Sequence, residues 1–219
     1  MKLYFSEVLN PRKTCAVAKY LKSPVEYVRV NLGRGEHKTP EFLALNPNAR
    51  VPVLVDGDKK LWESNAIMCY LADKAGSDLW PKDNRQIEVL RWLMWDATTF
   101  APHAGTLYFE YVIKPLFGAG AADPIAIDKA DKEFRRHAAV LEAHLKGRAY
   151  LVGDALSVAD FALAITLPYA EKARLPLDDF PEIRRWHAQL NKLEAWREPF
   201  PADPPARFPA PGAGTSAPA

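Results

Sequence analysis

The chain has 219 residues, 48% of them hydrophobic, with 29 basic against 27 acidic side chains and a formal net charge of +2. That length suffices for one large domain or two small ones with a substantial core. The near balance of interspersed charge leaves no electrostatic footprint for nucleic acid and no polybasic membrane patch, and the apolar runs fall far short of the ~20 residues of a membrane span. The cysteines, Cys15 and Cys69, form no disulfide or metal-ligand spacing pattern; that suits a reducing compartment and a protein without a metal. Met1 to Glu7 runs straight into a strand with no signal-peptide core, so a cytoplasmic location is expected.

The first part of the chain alternates strand and helix. Lys2 to Phe5 reads as a short strand, and Pro11 to about Leu21 as a helix with Cys15, Ala18 and Leu21 on one stripe. Val25 to Leu32 alternates apolar and polar residues, as a half-buried strand does. Thr39 opens a short helix with Pro40 at its first position. Strands follow at Val53 to Val55 and Lys60 to Trp62, joined by the turn Asp56-Gly57-Asp58. A helix then runs from Ser64 to about Ala75, where Gly76 stops it. The order β-α-β-α-β-β-α is that of a thioredoxin-like sheet, assigned to residues 1–78.

From residue 84 to 200 the pattern is all helical. Asn84 to about Ala101 carries Ile87, Leu90, Met94, Ala97 and Ala101 on one face, and Pro102 and Pro115 are expected to kink or end their helices. Ile127 to Leu145 forms a second long helix. Ser157 to Asp160 has the spacing of a capping box ahead of the apolar run Phe161 to Leu167. Pro181 to about Glu194 presents Ile183, Trp186, Leu190 and Leu193 inward. Residues 201–219 are rich in Pro, Ala and Gly, with Phe208 their one large apolar group; they are expected to form a disordered tail.

The segment Asn46 to Ile67 carries the most chemistry. Pro52 has no N–H to give a sheet, which frees the Val51 backbone to pair with another chain. Ser64 and Asn65 stand at a helix N-terminus, where unpaired N–H groups and the helix dipole attract a carboxylate. An exposed strand edge beside an anion-binding helix end suits a short acidic peptide.

Several pieces occur in order: Asn46-Pro47 before Val51-Pro52, Glu63-Ser64-Asn65-Ala66-Ile67 before Tyr70-Leu71, Leu79-Trp80-Pro81, and the cap at Ser157 to Asp160. Together they resemble the cytosolic glutathione transferases from Met1 to about Phe200. Asn31 to His37, the Gly57-Asp58-Lys59 turn and Trp92 to Thr99 look most like the theta-type and related bacterial enzymes. The resemblance implies a thioredoxin-like domain followed by an all-helical one, glutathione as co-substrate, a small hydrophobic electrophile as its reaction partner, and a homodimer. It also implies a cis peptide at Pro52, with the Val51 backbone pairing with glutathione's cysteinyl unit. Glu63 would take the γ-glutamyl ammonium and Ser64 the γ-glutamyl carboxylate. His37, Lys38 and Arg50 would be candidates for the glycine carboxylate, although His37 and Lys38 fit a solvated loop equally well.

Catalysis in this family needs an ionised thiol, and a hydrogen bond donated to the thiolate lowers its pKa. Where relatives place a hydroxyl after the first strand, this chain has Val8, which cannot donate. Asn10 is the first choice for the donor, with Ser6 in reserve and Arg12 adding positive potential. The electrophile wall would be drawn from Trp95, Thr99, Phe100, His103, Leu107 and Phe117, residues whose spacing also fits a helical core. Two other readings stand beside the transferase: a non-catalytic binding or scaffold protein of this fold, and a thiol–disulfide enzyme using Cys15.

Overall fold

Leu3 and Phe5 are fully buried on the first strand, Lys2–Phe5 (β1), and the first unit is built around it. The computed structural model describes residues 1–202 and 206–208. The chain divides into two compact units, one formed by Met1–Ala75 with the described residues from Glu198 onward, the other by Gly76–Arg197.

In the first unit, β1 runs parallel to β2 (Glu26–Arg29) and antiparallel to β3 (Val53–Asp56), which pairs antiparallel with β4 (Lys59–Trp62). Helix α1 (Leu9–Tyr20) follows β1, the short α2 (Pro40–Leu43) follows β2, and α3 (Ser64–Lys74) follows β4. This is the thioredoxin-like order. Thr39 caps α2 by accepting from the Phe42 N–H at 3.3 Å, as Ser/Thr residues do at an N-cap. Helices α1 and α3 pack together, burying Cys15 to Ala18 and Ile67, Met68, Leu71 and Ala72.

The sheet has a fifth strand that composition did not disclose. Ala206–Arg207 (β5) pairs parallel with β2, and the Phe208 N–H donates to the Arg29 carbonyl at 2.9 Å. The Phe208 ring is buried edge-on against Tyr4 and Phe42, with centroids at 6.0 and 5.5 Å, in the cluster of Val28, Val30 and Val53. The expectation of a disordered tail therefore fails for residues 206–208. A Pro- and Ala-rich segment cannot make a core of its own, but one phenylalanine can complete an existing one while its backbone satisfies a free sheet edge. The remainder of the expected tail, residues 203–205 and 209–219, lies outside the described residues.

The second unit is all helical. Helices α4 (Arg85–Trp95), α5 (Ala101–Tyr108) and α6 (Lys114–Phe117) follow one another through π-helical turns at Asp96–Phe100 and Phe109–Ile113. The chain stays helical through Pro102 and Pro115, so neither proline ends the run. In each case the residue before the proline donates five residues back, Ala101 to the Asp96 carbonyl and Lys114 to the Phe109 carbonyl. A widened turn of this kind accommodates the proline's missing donor. On α4 the buried residues are Val89, Trp92 and Leu93, with Asp96 following. Ile87, Leu90 and Met94 do share a face, but it is exposed in the single chain, at 64%, 39% and 52%.

Helix α7 (Pro124–Leu145) is capped by Asp123, which accepts from the Ile125 and Ala126 N–H groups. The expected capping box opens α8 (Val158–Leu163). Helix α9 (Pro181–Leu190) buries Ile183, Trp186 and Leu190 and stops before Leu193; α10 (Glu194–Arg197) follows. Glu142 of α7 accepts from the Glu182 and Ile183 N–H groups at 2.8 and 2.9 Å, closing the start of α9. No helix among the described residues is long and apolar enough to cross a membrane.

Asp160 joins these helices. One carboxylate oxygen accepts from the Leu151 N–H and the Trp186 indole at 3.0 Å each; the other accepts from the Ser157 N–H and hydroxyl at 2.9 Å each. With no solvent exposure, the Asp160→Ala variant leaves four buried donors without a partner, and urea denaturation is expected to show a loss of about 3 kcal/mol or more. Phe208→Ala is expected to lose about 3 kcal/mol by the same measurement; an unchanged midpoint would mean that β5 does not hold the sheet edge in solution.

Candidate functional site

The site begins where the chain leaves α2. Asn46 is 98% shielded from solvent, its exposure being 2%. Its side-chain amide donates to the Arg50 carbonyl at 2.8 Å, and its oxygen accepts from the Asn48 N–H and side chain at 3.0 Å each. This tied loop delivers Val51 to the cis Val51–Pro52 peptide. Pro52 is buried. The strand ladder starts only at Val53, so the Val51 N–H and C=O take no part in it.

A strained residue marks the entry to α3. Glu63 has φ +69°, a region that a non-glycine residue occupies at a cost of order 1–3 kcal/mol. Its side chain is exposed, and Ser64 behind it is 7% exposed. The N-cap of helix α3, Glu63, makes no side-chain cap bond, and the first turn of a helix carries N–H groups that have no intrahelical acceptor. Opposite stands the first turn of α1. The structure starts α1 at Leu9, two residues earlier than the sequence pattern, so Asn10 lies inside the first turn rather than before it. Val8 is the N-cap and offers no side-chain hydrogen bond.

Two contacts join these helix ends. The Ser64 hydroxyl donates to the Asn10 side-chain oxygen at 3.5 Å, and the Lys13 ammonium donates to the Asn65 side-chain oxygen at 2.8 Å. Lys13 is 4% exposed and was missed as a site residue by the sequence reading. The signal was its spacing of three from Asn10, which puts both on one helix face. Arg12 is also buried. Ser6 precedes the helix; its carbonyl accepts from the Val8 N–H at 2.8 Å, and among the described residues no hydrogen bond links its hydroxyl to Asn10 or Ser64. Cys15 is fully buried between α1 and its neighbours, and burial pushes its thiol far above the ordinary value. Cys69 is pushed up to about 12 by the same cause. The reading of Cys15 as a reactive thiol is thereby corrected, because a buried neutral thiol is not a nucleophile.

This frame matches known families along both units. The profile of the glutathione S-transferase N-terminal domain matches residues 3–73, and that of the C-terminal domain matches residues 102–194. The chain belongs to the glutathione S-transferase family. It is 37% identical over 186 residues to glutathione S-transferase 3 of Zea mays, covering 82% of this chain and 83% of that protein. It is likewise 37% identical over 184 residues to glutathione S-transferase F10 of Arabidopsis thaliana, covering 79% and 83%. Among solved structures it is similar to glutathione S-transferase-I bound with lactoylglutathione, with a TM-score of 0.82 and 29% identity over 90% of this chain and 97% of that one. These relatives do not support the expected theta-like or bacterial subgroup.

The transferase wall residues expected on the helical unit separate into two groups. Phe100 and Leu107 are each 1% exposed, and Phe100 packs on Phe134 of α7 at 5.4 Å. They are core residues, a correction that follows from their burial. Trp95 is half-buried and stacks on Phe100 at 5.4 Å. Thr99 is half-buried beside Thr98, His103 stacks on His137, and Phe117 is exposed on α6. These four are at least partly exposed.

His37 lies within electrostatic reach of Lys38 and Arg50. Burial lowers the His37 pKa first, and the charges of Lys38 and Arg50 lower it further. Its Nδ1 is buried and lacks a hydrogen-bond partner among the described residues. Because the folded value lies below the unfolded one, the stability linked to His37 is present above the unfolded value and is lost as pH falls through the folded value. An NMR titration should place the His37 midpoint below its ordinary value of 6.5, and Lys38→Ala or Arg50→Ala should move it upward.

Proposed function

We propose that the chain conjugates the glutathione thiolate to a small hydrophobic electrophile. The observation that carries this reading is the Asn10–Ser64 contact, because it sets the uncapped N-terminus of α1 beside that of α3. The γ-glutamyl carboxylate is received by the first-turn N–H groups of α3 and the Ser64 hydroxyl, and its ammonium by Glu63. The cysteinyl backbone pairs with Val51 as an added strand. Lys38 and Arg50, with His37 as neutral donor, face the glycine carboxylate.

Thiol activation follows from what stands in place of a hydroxyl. With no cap at Val8, the Leu9 and Asn10 N–H groups are available at the positive end of a 12-residue helix, and the Asn10 amide adds a donor. Such donors favour the thiolate and lower its pKa. In a displacement reaction the sulfur lone pair forms the new C–S bond while the leaving group departs with the bonding pair. Trp95, Thr99, His103 and Phe117 are the residues assigned to the electrophile. A homodimer is supported by the exposed apolar face of Ile87, Leu90 and Met94, and a cytoplasmic setting by two free cysteines. A phi-like plant affinity fits the named relatives better than a theta-like one.

A second reading has one observation in its favour. Val8 provides no hydroxyl, so the chain could bind glutathione without activating it. Titrating bound glutathione by thiolate ultraviolet absorbance separates the two. The transferase reading expects a midpoint well below the free-thiol value of about 8.5, moved upward in Asn10→Ala with a fall in kcat of about tenfold, or ~1.4 kcal/mol. Cys15→Ser should leave conjugation intact. Binding with an unshifted midpoint favours the scaffold instead.

A further inference from the structure

A cluster of metal-ligating side chains lies in the helical unit and shares His103 with the residues assigned to the electrophile. His103 is on α5; Glu133 and His137 are one turn apart on α7. One ligand atom from each of the three lies within 4.8 Å of the others, and all are partly buried. The two imidazole rings are nearly parallel, at 10°, with centroids 5.4 Å apart. The His137 Nε2 is 3.5 Å from a Glu133 carboxylate oxygen.

A cation already occupies part of this space. The Arg136 guanidinium lies 2.7 Å from the same Glu133 oxygen and 3.1 Å from His137 Nε2. Arginine only donates hydrogen bonds, so Nε2 accepts here and its lone pair points into the cluster. Arg136 is 68% exposed, and its charge can return to water at little cost.

We propose that His103, Glu133 and His137 bind a borderline divalent transition-metal ion, Zn²⁺ foremost, which displaces the Arg136 guanidinium and clamps α5 to α7. Two imidazoles and a carboxylate make a donor set that suits zinc and its neighbours, whereas magnesium and calcium prefer all-oxygen shells. Ligands four residues apart share one helix face, as in helical zinc motifs. Zinc bonds of about 2.0–2.2 Å require donors about 3.3 Å apart in a tetrahedral shell, so the side chains close inward by about an ångström or more. Their partial exposure permits that closure and leaves the fourth position to water. Linear spacing did not reveal the site, because His103 comes from a different helix.

The test is calorimetric titration of the full chain with ZnCl₂ in a non-chelating buffer, without glutathione, which itself binds zinc. One ion per chain is expected. His137→Ala and His103→Ala should weaken binding at least about tenfold, and Arg136→Ala should tighten it several-fold by removing the competing cation. Zinc should raise Tm in the parent chain and not in His137→Ala. Should either histidine variant fail to give the parent circular dichroism spectrum, Glu133→Gln decides, with the same loss expected. Absence of saturable binding, equal binding of MgCl₂, binding that survives both histidine variants, or weaker binding in Arg136→Ala would each overturn the proposal.

Discussion

Two side-chain contacts between α1 and α3 hold the chemistry of the first unit in place. Asn10 meets Ser64 and Lys13 meets Asn65, and the two helix ends they join carry the uncapped N–H groups. Each end alone is a weak anion attractor, since the dipole's effect fades within a turn. Side by side they can hold a carboxylate and a thiolate on one small ligand. Burying Lys13 is costly unless its ammonium finds acceptors, so the Asn65 bond also explains how a cation is tolerated between packed helices. Asn46 does comparable work on the other flank. Its three hydrogen bonds tie the loop that presents Val51 outside the ladder.

The helical unit is organised by a different device. A single buried carboxylate, Asp160, takes four hydrogen bonds and so fixes the start of α8, the loop at Leu151 and the Trp186 side chain on α9. Around it the long helical run from Arg85 to Phe117 absorbs two prolines through widened turns. The first of those turns contains Thr99 and is followed by His103, so it sets where both residues stand on the helix. A residue's side of the helix is shifted by each extra residue in a turn. Phe100, inside the first widened turn, and Leu107, after it, are core.

Much of the first unit was legible because its signals are local. Alternation marks β1 and β2, Thr39-Pro40 marks a helix start, Gly76 a helix end, and Asp56-Gly57-Asp58 a hairpin turn; each depends on a few adjacent residues. The pairing Val51-Pro52 with Glu63-Ser64 was legible for the same reason. Lys13, the Asn46 loop bonds and the contact of Asn10 with Ser64 were not, since each depends on which side chains the packing brings within reach. Phe208 was hidden for another reason: composition measures whether a segment can make a core, not whether it can finish one made elsewhere.

By itself, the sequence determined the family and the element order of the first unit up to α3, because periodicity, turn chemistry and motif spacing are short-range properties. Only the tertiary structure decided which residues meet. Burial removed Cys15 from the chemistry and put Phe100 and Leu107 in the core. The sheet edge captured residues 206–208, and the pairing of α5 with α7 placed His103 against Glu133 and His137. Distances between residues far apart in the chain are set by packing, and no local pattern encodes them.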